Sequence, residues 1–128
     1  MPVELTETQF EVFKEEAGKW LEFFGLKDWE IRFSFEHNDD FDRARCYTNW
    51  LGRICTLELA RWQSEERSDE EIRKVAFHEV CELLLAEMEN ISMDEEVPYS
   101  ERKGLLETSR HGVIRRLENS VFKQSIHG

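Results

Sequence analysis

The sequence predicts an α+β domain: an N-terminal helix, a short antiparallel sheet of about three strands, a central apolar helix and a C-terminal helix. Three observations carry this. Apolar residues recur at helical spacing from Phe10 to Phe24, alternate from Trp29 to Phe35, and return to helical spacing over most of the circumference from Ile72 to Met88. With 128 residues the chain is long enough for one core and short for two, so residues 1–128 read as a single domain. A hydrophobic fraction of 40%, with nine Phe and four Trp, supports a packed interior rather than disorder.

The first helix is predicted over Thr6 to Phe24. Thr6 and Gln9 form a capping box, Phe10, Phe13, Ala17, Trp20, Leu21 and Phe24 mark the buried stripe, and Gly25 ends it. Trp29 to Glu36 carries apolar residues at its odd positions and reads as a strand with one buried face. His37 with Asp39, Asp40 and Asp42 does not follow calcium-loop spacing and reads as a solvated turn. Arg43–Trp50 and Arg53–Arg61 form a hairpin around a turn at Asn49 to Gly52, its second strand being a candidate sheet edge for an extended peptide. Trp62 to Asp69 is a polar linker, and Ser68 with Glu71 starts the central helix. Asn90 to Tyr99 reads as a solvated loop, after which Ser100 caps a last helix running to about Phe122 through Leu106, Val113, Ile114, Leu117 and Val121.

The chemistry concentrates in Val75-Ala76-Phe77-His78-Glu79-Val80-Cys81-Glu82-Leu83-Leu84-Leu85, where metal-competent side chains interrupt a buried helix. His78 and Glu82 are four residues apart and project from one face, with Glu79 about 100° round. All three are expected in the part of the wheel that the apolar residues leave open, either at the floor of a cleft or on the one solvated stripe. This is the geometry of the zinc-peptidase helix His-Glu-x-x-His with Glu at the second His position. A hydrolytic zinc site takes three protein ligands and leaves a position for water, whose proton a nearby carboxylate accepts. His78 and Glu82 supply two ligands and Glu79 the general base. On the last helix Glu107 and His111, also four apart, are expected to line one stripe with Ile114 and Glu118 beside the apolar face of Leu106, Val113 and Leu117, and so to look across at the central helix. His111 is the candidate third ligand, and Glu107 either supports its ring N–H or ligates in its place.

The order of elements, with Ala-Phe-His-Glu-Val-Cys-Glu-Leu-Leu-Leu in the central helix and Ile114-Arg115-Arg116-Leu117-Glu118-Asn119 in the last, resembles the small phage and bacterial SprT-like metallopeptidases. The resemblance implies a minimal zincin-like fold, a bound Zn2+ and hydrolysis of peptide bonds in a peptide or protein substrate. It implies His78 as ligand, Glu79 as general base, Glu82 at the position of the second His, and a downstream ligand at or near His111.

A carboxylate in place of an imidazole also makes a harder site, which suits manganese or magnesium as an alternative metal. Two competing readings are a catalytically degenerate zincin-fold binding module, whose acidic surface favours a basic partner, and a nucleic-acid-associated role through Arg102, Lys103, Arg110, Arg115 and Arg116. A net charge of −11 disfavours broad nucleic-acid or anionic-membrane binding, and helix-end cations with salt bridges to Glu101, Glu107 and Glu118 explain those residues as well. The start of the chain shows no secretory signal and no window reaches transmembrane length. Cys46, Cys55 and Cys81 form no C-x-x-C pair and read as reduced, core-packing thiols. The expected location is the cytoplasm, that of the host if the protein is phage-encoded. Oligomeric state is not legible.

Overall fold

A computed structural model describes residues 2–36, 43–93 and 98–124, apart from the side chains of Glu87 and Met93. The predicted turn at His37 to Asp42 and the acidic part of the predicted loop, 94–97, lie outside these residues.

Helix α1 spans Glu7–Phe23, with Thr6 as its cap. The Thr6 hydroxyl accepts from the Gln9 N–H at 3.1 Å, and Gln9 Oε1 accepts from the Thr6 N–H at 2.9 Å. The helix ends in a Schellman turn: Gly25 takes φ 68°, its N–H bonds to the Glu22 carbonyl, and the Leu26 N–H reaches back to Leu21. Strands β2 (Glu30–Ser34), β3 (Ala44–Asn49) and β4 (Ile54–Leu59) form the main sheet. A further pair, β1 (Val3–Glu4) with β5 (Trp62–Gln63), makes a small antiparallel ribbon.

The main sheet corrects two expectations. Its order is β2-β4-β3, and β2 pairs with β4 in parallel, so only the β3–β4 hairpin is antiparallel. Strand β4 is central, with both edges already hydrogen-bonded, so among the described residues β3 rather than β4 is the edge strand beside the central helix. Alternation along a strand fixes which face is buried but carries no information about the direction of its neighbour.

The helices cover one face of this sheet. Phe10 stacks on Phe35 at 4.7 Å between centroids, Phe13 meets Phe33 edge-on at 6.3 Å, and Cys55, Leu57 and Leu59 of β4 are fully buried beneath them. The opposite face is polar, with Arg45 paired to Glu58 across the hairpin and its guanidinium 4.3 Å from the Tyr47 ring. One wet and one dry face explain the alternation seen in the sequence.

Helix α2 spans Asp69–Met93, 25 residues, three beyond the predicted start of a loop at Asn90. Ser68 and Glu71 form the predicted capping box, with bonds of 3.1 Å in both directions. Trp20 of α1 packs on Phe77 of α2 at 4.7 Å, and Asn90 Nδ2 donates to Thr48 Oγ1 of β3 at 3.2 Å. These contacts hold α2 against both α1 and the β3 edge.

The expected polar linker after Arg61 is a structural joint instead. Gln63 is fully buried: its Nε2 donates to the carbonyls of Arg43 and Ala60, and its Oε1 accepts from Arg67 Nε at 3.1 Å. A buried amide with its partners supplied makes this short ribbon rigid. Helix α3 spans Tyr99–Leu117 and continues through a π-helical turn, Glu118–Phe122. Pro98, not Ser100, holds its cap position, and no side chain bonds there.

Candidate functional site

Helix periodicity explains where the motif side chains go. Ile72, Ala76, Leu83 and Ala86 are buried at intervals of three, four and seven residues, and Glu79 falls within that stripe, three after Ala76 and four before Leu83. Glu79 is accordingly only 6% exposed. Of the two expected settings, His78 and Glu82 take the solvated stripe, whereas Glu79 lies in the buried stripe beside a cavity. His78 and Glu82 are 68% and 50% exposed on the neighbouring face, with Nε2 and Oε1 3.3 Å apart.

Glu79 occupies a core position yet has no hydrogen bond or ion pair among the described residues. Removal from water pushes its carboxyl up to about 7; the nearby His78 opposes this shift and the Glu82 carboxylate adds to it. Glu79 also borders a cavity of about 430 Å3, lined with it by Arg43, Ala44, Arg67, Glu71, Lys74, Val75 and His78. A buried carboxyl poised near neutrality at the wall of a cleft is a group suited to accept and return a proton.

Cys46 of β3 belongs to the same neighbourhood. Its thiol lies 3.6 Å from that of Cys55. The hydrogen bond to Cys55, burial and the charges of Cys55, Glu79 and Glu82 all push its pKa upward. Sequence spacing gave no sign that Cys46 lies near the motif, because only the packing of β3 under α2 brings them together.

No family model, curated protein or solved structure matches this chain.

His78 and Glu82 bring two metal-competent donors to 3.3 Å, the spacing of an i,i+4 pair on any helix, against the three protein ligands that a hydrolytic zinc site takes. His111 and Glu107 do not join them. The face of α3 that packs inward is Ser109 and Val113, continued by Ser120, and His111 sits two residues from each of the first two, about 200° round the helix. His111, Glu107 and the flanking Ile114 and Glu118 are all exposed, and Glu107 pairs with Arg110 at 3.7 Å. The expected stripe facing α2 is thus on the outer side, and among the described residues no three His, Cys, Asp or Glu side chains form a metal-binding group. Leu117, expected in the core, is 38% exposed for the same reason.

Of the five basic residues of α3, Lys103 and Arg115 are exposed, and Arg102, Lys103 and Arg110 line one cavity with Glu107. Arg116 reaches Asp28 at 3.0 Å, Arg110 pairs with Glu107, and Arg102 is partly buried. No helix among the described residues is long and apolar enough to cross a membrane.

Proposed function

We propose that the chain is a metal-dependent hydrolase of peptide bonds, with His78 and Glu82 as ligands to a zinc ion or a harder divalent metal and Glu79 as the general base. The observation that carries this reading is Glu79: a carboxyl in a core stripe, without a partner among the described residues, raised to about 7 at the wall of a cavity. Such a position costs stability and is kept where the group has chemical work to do. A bound zinc ion would supply a water of lowered pKa. Glu79, half ionised near neutral pH, would be the group that takes up a proton on a carboxylate oxygen and gives it back to the leaving amine. His78 and Glu82 hold their donors one helical turn apart, and the apolar stripe on either side of Glu79 keeps the carboxyl out of bulk water.

The peptide bond is favoured as substrate by two features. The motif helix resembles that of SprT-like metallopeptidases, and among the described residues β3 is an edge strand beside α2, along which an extended chain can pair. The competing reading, a degenerate zincin-like fold serving as a binding module, is favoured by the absence of a third donor beside His78 and Glu82 among the described residues.

Metal content and hydrolysis measured together test the proposal. His78→Ala is expected to lose both bound metal and activity, whereas Glu79→Gln keeps the metal and loses hydrolysis. Full activity in Glu79→Gln would refute the assigned base. Absence of metal in the folded wild-type protein after growth and dialysis in zinc would favour the binding module.

A further inference from the structure

On a chain with net charge −11, the cavity beside Glu79 is lined by three cations, Arg43, Arg67 and Lys74. They are not equivalent. Arg67 is 8% exposed and committed to structure, with Nε on Gln63 and Nη1 2.8 Å from Glu65 and 3.9 Å from Glu71. Arg43 and Lys74 are exposed, and among the described residues neither has a carboxylate within salt-bridge distance. The facing carboxylate, Glu71, is turned back on the helix cap, where its Oε1 accepts the Ser68 N–H at 3.1 Å.

Both cations line the cavity from anchored backbone. Arg43 has φ 73°, and its carbonyl is held by the Ala60 N–H and Gln63 Nε2, so the start of β3 is pinned there. Lys74 lies four residues before His78, about 6 Å along the helix, the span of roughly two residues of an extended peptide. The cavity, at about 430 Å3, falls within the roughly 300–1,000 Å3 of small-ligand clefts.

We propose that this cavity is a carboxylate-recognition pocket, in which Arg43 and Lys74 hold a negatively charged group of the substrate peptide one or two residues from the bond to be cut. That group is an Asp or Glu side chain or the C-terminal carboxylate. The inference rests on the peptidase reading for the ligand being a peptide, and on the cavity alone for the charge. A single carboxylate suits two cations, whereas a polyanion would meet the repulsion of the acidic surface.

The test uses the full chain in chelator and four N-acetylated, alanine-rich pentapeptides, with binding followed by calorimetry. Two carry a central Glu or Gln and an amidated end, and two are all-alanine with a free or amidated C-terminus. One acidic peptide is expected to bind about tenfold tighter than its neutral partner at low salt, with the preference falling at high salt. The Glu/Gln pair assigns a side chain and the free/amidated pair a C-terminus. The preference should vanish in the Arg43→Gln, Lys74→Gln double variant, whose exposed substitutions leave the melting curve unchanged. Equal binding within both pairs, no binding by any peptide, or a preference that survives the double substitution would overturn the pocket, as would binding of a single-stranded oligonucleotide through the same two residues in place of the peptides. The two readings fail separately. No cleavage by the zinc-loaded protein alongside an intact acidic preference removes the peptidase and leaves the pocket, while equal cleavage of acidic and neutral peptides removes the pocket alone.

Discussion

Glu79→Gln, followed by thermal unfolding across pH in the presence of chelator, isolates the energetic position of the proposed base. Folding moves this carboxyl from an ordinary 4.5 up to about 7. Between those values the native chain keeps a proton that the unfolded chain has lost, so stability falls as pH rises through the window. The penalty is absent below pH 4.5 and complete above pH 7, where it amounts to about 3 kcal/mol. Glutamine has nearly the same shape and does not titrate. The variant should therefore match the wild type near pH 4.5 and exceed it by about 3 kcal/mol near pH 8, roughly 10 °C in melting temperature for a domain of this size. Other carboxylates titrate in both proteins and cancel in the difference. A difference that is flat across this range, or a variant less stable at pH 8, would show that Glu79 is not held in a dry environment, and the base assignment would lose its physical basis.

Other substitutions probe the site and the frame that carries it. His111→Ala should leave the metal per chain unchanged, since His111 sits on the outer face of α3; loss of metal, measured by mass spectrometry, would restore it as the third ligand. Phe13→Ala, at a fully buried position against Phe33, should cost about 3–5 kcal/mol in denaturant unfolding. Ser68→Ala removes the α2 cap and should cost about 1 kcal/mol, seen as a parallel shift of the denaturant midpoint. Gln63→Ala strips the buried partners of Arg43, Ala60 and Arg67, and should cost about 2–3 kcal/mol; an unchanged midpoint would show that the ribbon is not a joint.

Much of the frame was legible because its causes are local. The capping boxes at Thr6 and Ser68, the glycine stop at Gly25, the alternation of Trp29 to Phe35 and the hairpin around Asn49 to Gly52 each depend on side chains within a few residues of the backbone they control. The last helix was less legible. Its apolar face was expected through Leu106, Val113 and Leu117; Val113 is buried and Leu106 half-buried, but Leu117 is 38% exposed and Ser109 and Ser120 complete the packed side. Small residues pack a helix closely without leaving a hydrophobic signature, so the packed side lies further from His111 than the apolar residues suggest.

By itself, the sequence determined the α+β class, the extents of α1 and most of α2, and the pairing of His78 with Glu82, since four residues on a helix bring two side chains together wherever the helix lies. Tertiary structure decided everything that depends on what lies opposite. The parallel pairing of β2 with β4, the β1–β5 ribbon, the approach of Cys46 to the motif and the cavity shared by Arg43 and Lys74 join residues far apart in the chain. The state of Glu79 was decided there too. Periodicity could place it beside Ala76 and Leu83, but only the packing of α2 on α1 and β3 removes water from that stripe, and it is the removal of water that brings the carboxyl to neutrality.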